Sequence, residues 1–308
     1  MSAAGPSQGA NCAPSGGSAA ATAASVGGPL HTPESVERGY NNRAAVPEHP
    51  QFIAQYTERS QAAIASLAPQ RDLRYGSGLK ETLDLFVPAG KARGTFVFFH
   101  GGYWRAFDKT DFAFVATPFV AQGLAVAVVN YDLCPAVSIA AIVDESTRAA
   151  LWLLREGEKH GARCGRLVVG GHSAGGHLAA MLFAIDWRTH GLPRSPFAGG
   201  VTLSGVHDLE PLVLSTMNAD LRLDGAEARR VSPVHYQAET GAPLVVACGA
   251  DETSEFLRQS TLIFDAWPRN RPPGSNAPLF IPGRHHFSVV LDYAEAGSEL
   301  TRATAALF

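Results

Sequence analysis

The sequence predicts a doubly wound α/β fold, a mostly parallel eight-stranded sheet with helices on both faces. Three observations carry this expectation. Segments such as 94–100 (GTFVFFH), 124–130 (LAVAVVN) and 243–249 (PLVVACG) are continuous apolar runs, as strands covered on both faces must be. Helical stretches separate the runs, and that alternation implies parallel strands joined by crossover helices. A length of 308 residues and a hydrophobic content of 46% suffice for one large core.

Taken in order, residues 1–29 are almost entirely Ala, Gly, Ser and Pro. Such a segment buries too little apolar surface to offset its ordering entropy and is expected to be a disordered tail. Residues 30–308 read as a single domain. Phe52, Tyr56, Ile64 and Leu67 suit a helix from Glu48 to Ala68, stopped by Pro69. Strands are expected at 71–77, 80–87, 94–100, 124–130, 166–172, 199–204, 243–249 and 277–282, the first two as an antiparallel pair. Helices are expected at 109–122, 139–160, 173–186, 252–268 and 287–306. Segment 207–240 exceeds an ordinary connection and is expected to form a lid or pocket wall.

A formal charge of −3 without any basic run argues against a nucleic-acid partner. No apolar run reaches membrane length, and the N-terminus lacks a charged segment followed by an apolar one. The four cysteines, Cys12, Cys134, Cys164 and Cys248, form no CxxC pair and read as reduced thiols of a cytoplasmic protein. The expected partner is a small-molecule substrate, with no membrane; a homodimer is compatible with the sequence.

The chemistry is concentrated in three places. Gly171-His172-Ser173-Ala174-Gly175 fits G-x-S-x-G between an apolar strand and a helix, the setting that lifts a serine on a sharp turn. Ser173 is therefore the candidate nucleophile. Phosphate-loop patterns fail here, because His177 follows Gly176 where a lysine is needed. The third strand ends in His100-Gly101-Gly102-Tyr103-Trp104, a glycine loop able to aim amides at a developing oxyanion. The expected donors are the amides of Gly102, Tyr103 and Ala174, with Gly101 as an alternative. His100, His172 and His177 read as packing or loop-anchoring residues.

A serine hydroxyl needs a base, and the base needs a carboxylate to fix its tautomer. Asp251 follows the seventh strand in PLVVACGADET, and His285 and His286 follow the eighth in PLFIPGRHHFSVV. The order Ser, acid, His suits such a site. His286, which precedes Phe287, is preferred over His285; Asp251 is preferred over Asp208 and Glu252. Tyr103, Trp104 and Phe287 are candidates for an apolar substrate wall.

HGGYW (100–104), NYDLCP (130–135), GGHSAGGHLAA (170–180), SGVHDLEPL (204–212), RRVSP (229–233) and HHFSVV (285–290) together resemble one family. The chain is similar to the arylformamidase (kynurenine formamidase) branch of the α/β-hydrolases, adjacent to the hormone-sensitive-lipase-like esterases. The likeness spans roughly residues 35–305 and includes NNRAAVPEHP ahead of the core. It implies an α/β-hydrolase fold and hydrolysis of N-formyl-L-kynurenine to formate and kynurenine, without metal or other cofactor. Ser173, Asp251 and His286 would be the triad and the HGG loop the oxyanion hole; a carboxylesterase is the alternative. Asp132 stands where many related esterases carry Arg, so those esterases guide substrate inference less well. The HxGTHxD pattern of metal-dependent formamidases is absent.

Overall fold

A computed structural model describes Met1 and residues 31–308, so the expected tail and Cys12 lie outside the described residues. His31–Phe308 forms one compact unit. Its elements in chain order are α1 (Pro33–Tyr40), α2 (Asn42–Ala45), α3 (His49–Leu67), β1 (Gln70–Arg74), β2 (Thr82–Phe86), β3 (Thr95–Phe99), α4 (Ala116–Ala121), β4 (Ala125–Val129), α5 (Ile139–Glu156), β5 (Leu167–His172), α6 (Ala174–Ala184), β6 (Phe197–Leu203), α7 (Asn218–Leu221), α8 (Gly225–Arg230), β7 (Leu244–Gly249), α9 (Ser254–Ala266), β8 (Leu279–Ile281) and α10 (Glu299–Ala305).

The eight strands form one sheet in the order β1-β2-β4-β3-β5-β6-β7-β8. β1 and β2 pair antiparallel, β2 meets β4 antiparallel, and every later pairing is parallel. The period-two alternation of strand side chains divides the core. Val97 and Phe99 of β3 pack into one cluster with residues of α5, α6 and α9; Phe96 and Phe98 pack into the other with Tyr56 of α3, Phe119 of α4 and Leu300 of α10. All five residues of β3 and all five of β4 are buried, which is why both read as unbroken apolar runs.

The expected strands all form; four are a residue or two shorter at each end, β5 and β7 start one residue late, and β1 and β6 begin and end earlier than expected. Two expected helices do not form as drawn. In place of 109–122 are 3-10 turns at Lys109–Asp111 and Ala113–Val115, followed by α4. Asp108 caps the first turn by accepting from the Thr110 amide, while Asp111 bonds back to the Asp108 amide. Phe112 and Phe114 then face the core. In place of 287–306, a 3-10 stretch at Val289–Ala294 is separated from α10 by a turn containing Gly297; Ser298 restarts the helix by capping Thr301 N–H.

Segment 207–240 is built of short pieces, with 3-10 turns at Glu210–Leu214 and Pro233–His235 around α7 and α8. It is pinned down by buried Leu209, Leu212, Leu221, Ala228 and Val231. Cys134, Cys164 and Cys248 are buried free thiols. No helix among the described residues is long and apolar enough to cross a membrane.

Candidate active site

Ser173 sits between β5 and α6 with φ 56° and ψ −116°, a conformation L-residues seldom adopt. The surroundings force it. The Ser173 amide donates to Leu203 O at the end of β6 (2.8 Å), and Ser173 O accepts from His177 N in the first turn of α6 (3.0 Å). A Cβ on Gly171 would collide with the Gly175 carbonyl, and one on Gly175 with the Phe99 carbonyl of β3. Both glycines of the pentapeptide are therefore required by the close approach of three backbones. The turn leaves the serine hydroxyl facing the cleft at the strands' C-terminal edge.

His286 reaches the serine from the loop after β8, with Nε2 3.1 Å from Ser173 Oγ. Its Nδ1 lies 2.7 Å from Glu252 Oε2. The expected acid, Asp251, is not part of this array. After β7 the chain keeps pairing with the neighbouring loop: Ala250 N–H donates to Ile281 O and Asp251 N–H to Arg284 O (2.9 and 3.0 Å). That extension leaves Asp251 exposed and turns the next residue inward, so the side chain of Glu252 is fully buried. Glu252 Oε1 accepts from the Gly249 amide (2.9 Å) and from the Ser204 hydroxyl, which leaves Oε2 for the imidazole. Asp208, the other alternative, instead faces Arg258 at 3.5 Å and accepts from the Glu210 amide.

The imidazole is held from its backbone as well. His172 Nε2–H donates to His286 O (3.0 Å), and the two rings lie 4.8 Å apart. Tyr56 O–H donates to the carbonyl of Phe287. Burial, then the neighbouring His286, hold the His172 imidazole well below its usual pKa, so it stays neutral. His285, the rival base, turns away; its Nδ1 accepts from the amides of Phe287 and Ser288, and its ring abuts Phe52.

The loop after β3 lies against the serine. Gly101 is beside the Ser173 Cβ, and a side chain at Gly102 (φ +114°) would strike the Ala106 carbonyl. Tyr103 and Trp104 follow at φ 50° and 55°. Neither the Gly102 nor the Tyr103 amide donates to an acceptor among the described residues. Ala174 is the first residue of α6, where helix geometry offers its N–H no acceptor. Gly102 and Tyr103 line the cleft, whereas Ala174 is wholly buried.

Trp104, expected on the substrate wall, is instead wholly buried and does not line the cleft. Its Nε1–H donates to His177 Nδ1 (3.2 Å), and His177 Nε2–H donates to Val231 O (2.6 Å). This relay ties the HGGYW loop to the helix after Ser173 and to the segment wall. Tyr103 does line the cleft and donates its hydroxyl to Tyr40 O, anchoring the loop to α1 (2.7 Å). His100 is structural: it stacks on Tyr131 with ring centroids 4.3 Å apart, and burial lowers its pKa to about 4.

The cleft above Ser173 has a volume of about 330 Å³, within the range of small-molecule sites. Phe287, Phe107 and Phe112 give it apolar walls, and Thr216, Met217 and Asp220 from segment 207–240 close one side. The adjoining wall was not read from the sequence. It comes from α1 and α2, through Glu37, Tyr40, Asn42 and Arg43. Thr32-Pro33-Glu34-Ser35 is a helix-start pattern that marks α1, with Thr32 and Ser35 forming a reciprocal cap.

Among the described residues, one cluster of metal-capable groups, Asp208, Glu210 and His235, has its ligand atoms within 4.8 Å of one another. None of the three lines the cleft, and the two carboxylates are ion-paired with Arg258 and Arg229.

Residues 96–250 match the family described as alpha/beta hydrolase fold. The chain is similar to a kynurenine formamidase of Salmo salar, 27% identical over 83% of this chain and 87% of the relative. A kynurenine formamidase of Danio rerio is 28% identical over 71% of this chain and 74% of the relative. A solved structure from Silicibacter sp. TM1040, provisionally named a thioesterase, superposes with a TM-score of 0.77 at 31% identity. The match covers 86% of this chain and 97% of that one.

Proposed function

This chain belongs to the α/β-hydrolase fold family, and we propose that it is a serine hydrolase cleaving the formamide of N-formyl-L-kynurenine to formate and kynurenine, a step of tryptophan degradation. It is a hydrolase of arylformamidase or esterase type, acting on a small molecule. One observation carries the mechanistic reading: Ser173, His286 and Glu252 form a hydrogen-bonded line at the floor of a cleft bordered by unoccupied amides.

Glu252 accepts the Nδ1 proton, so Nε2 presents its lone pair to the serine hydroxyl. Ser173 Oγ attacks the formyl carbon while His286 takes the hydroxyl proton. The negative oxygen of the tetrahedral intermediate is held by the amides of Gly102, Tyr103 and Ala174, each such donor being worth roughly 3 kcal/mol at the transition state. His286 then returns the proton to the aryl amine as the C–N bond breaks. Water, deprotonated by the same imidazole, attacks the formyl ester; formate leaves and Ser173 regains its proton.

Turnover of N-formylkynurenine is to be measured beside p-nitrophenyl acetate, in wild type and in Ser173→Ala. The expected result is efficient formamide hydrolysis, lost together with ester hydrolysis in the variant. Efficient ester cleavage with negligible formamide turnover would instead favour a small-molecule carboxylesterase.

A further inference from the structure

Among the described residues, three buried side-chain atoms lack a hydrogen-bond partner: Asn42 Nδ2, His172 Nδ1 and Ser260 Oγ. An unmade bond at a buried polar atom costs about 1–3 kcal/mol, so native proteins rarely leave one without use. Asn42 and His172 both line the cleft, at 4% exposure each. The His172 atom lies against Gly101, beside the reacting serine. Asn42 belongs to α2, on the wall contributed by the N-terminal helices.

Asn42 has a charged neighbour, the exposed Arg43, which also lines the cleft. Four charged side chains other than histidine line the cleft: Glu37, Arg43, Arg105 and Asp220. Three are already engaged. Arg105 pairs with Asp220 at 2.5 Å, and Glu37 accepts from the Asn41 amide group and the Thr216 hydroxyl at 2.8 and 2.9 Å. Arg43 makes no ion pair and no side-chain hydrogen bond among the described residues. A buried amide donor next in sequence to an unpaired guanidinium is a set of donors without an acceptor, and a carboxylate supplies the oxygens both require.

We propose that Asn42 and Arg43 form a carboxylate subsite, so that this enzyme selects acyl compounds whose leaving group bears a carboxylate away from the scissile bond. The inference rests on the reading of the cleft as the hydrolytic site, and it deepens that reading by naming the charge of the substrate class. Asn42 and Arg43 act here as specificity residues, remote from the reacting atoms. Asp220 is balanced by Arg105, while Glu37 keeps its charge with neutral donors bound to it, so Arg43 is the cation left to attract a negative ligand.

The test compares carboxylate-bearing and neutral substrates in two series, N-formylkynurenine against formanilide and 3-carboxyphenyl acetate against phenyl acetate. It uses wild type, Arg43→Gln and Asn42→Leu, with thermal midpoints recorded to establish folding. The expected result is that each variant lowers the charged-to-neutral ratio of kcat/KM about tenfold, mainly through KM. An unchanged ratio in the folded variants would overturn the subsite. Should neither formamide be cleaved, the formamidase reading fails while the ester series still decides this one. Because Arg43 is exposed, Arg43→Gln remains informative even if Asn42→Leu does not fold.

Discussion

Replacing Glu252 with Gln changes one atom, and the structure dictates where that atom goes. Oε1 accepts from the Gly249 amide and the Ser204 hydroxyl, both donors, so the glutamine oxygen must remain there. The new NH₂ group is thereby forced to the Oε2 position, 2.7 Å from His286 Nδ1. A donor at that place requires Nδ1 to accept, which moves the ring proton to Nε2 and points it at Ser173. The imidazole can then no longer take the serine's proton. A wrong tautomer with intact geometry lowers kcat by about 10³–10⁴, equivalent to roughly 4–5.5 kcal/mol at the transition state. Asp251→Asn alters an exposed group that takes no part in the line and should leave kcat/KM within about twofold of wild type. Steady-state hydrolysis of p-nitrophenyl acetate by the two purified variants, with circular dichroism to verify folding, decides the matter. Near-wild-type rates for Glu252→Gln, or a collapse confined to Asp251→Asn, would refute the assignment of the acid.

Stability should fall on acidification. Burial lowers the pKa of His100 and His177 to about 4 and that of His207 to about 3. Between about pH 6.5 and 4 the unfolded chain therefore binds protons that the native state refuses, and each site contributes up to ~1.4 kcal/mol of lost stability per pH unit. Glu145, raised to about 7 by burial, opposes this from pH 7 to 4.5, but it is one group against these three and the buried His172. Urea midpoints measured across that range should decline, and a flat series would contradict the buried neutral histidines. Trp104→Phe removes the donor to His177 while leaving the lining of the cleft unchanged. It should cost about 1–2 kcal/mol in chemical denaturation, and a change below about 0.5 kcal/mol would mean that the relay carries no weight.

The sequence by itself determined what local pattern can encode. Continuous apolar runs located the middle strands β3, β4 and β7, because a strand buried on both faces has no polar alternation to hide. The pentapeptide around Ser173 was legible because its glycines are demanded by backbone contact, whatever the rest of the chain does. His286 was legible from its place before Phe287, and the loop beside the serine from its paired glycines.

Tertiary structure decided the rest. Whether residue 251 or 252 turns inward depends on pairing of their loop with Ile281 and Arg284, thirty residues downstream. Trp104 looks like a cleft aromatic until His177, itself held by Val231 O, provides the partner that keeps its indole in the core. The wall made by Asn42 and Arg43 lies far from the catalytic motifs in the chain, and only folding brings it over the serine. In each case the deciding interaction joins distant segments, so no window of local sequence contains it.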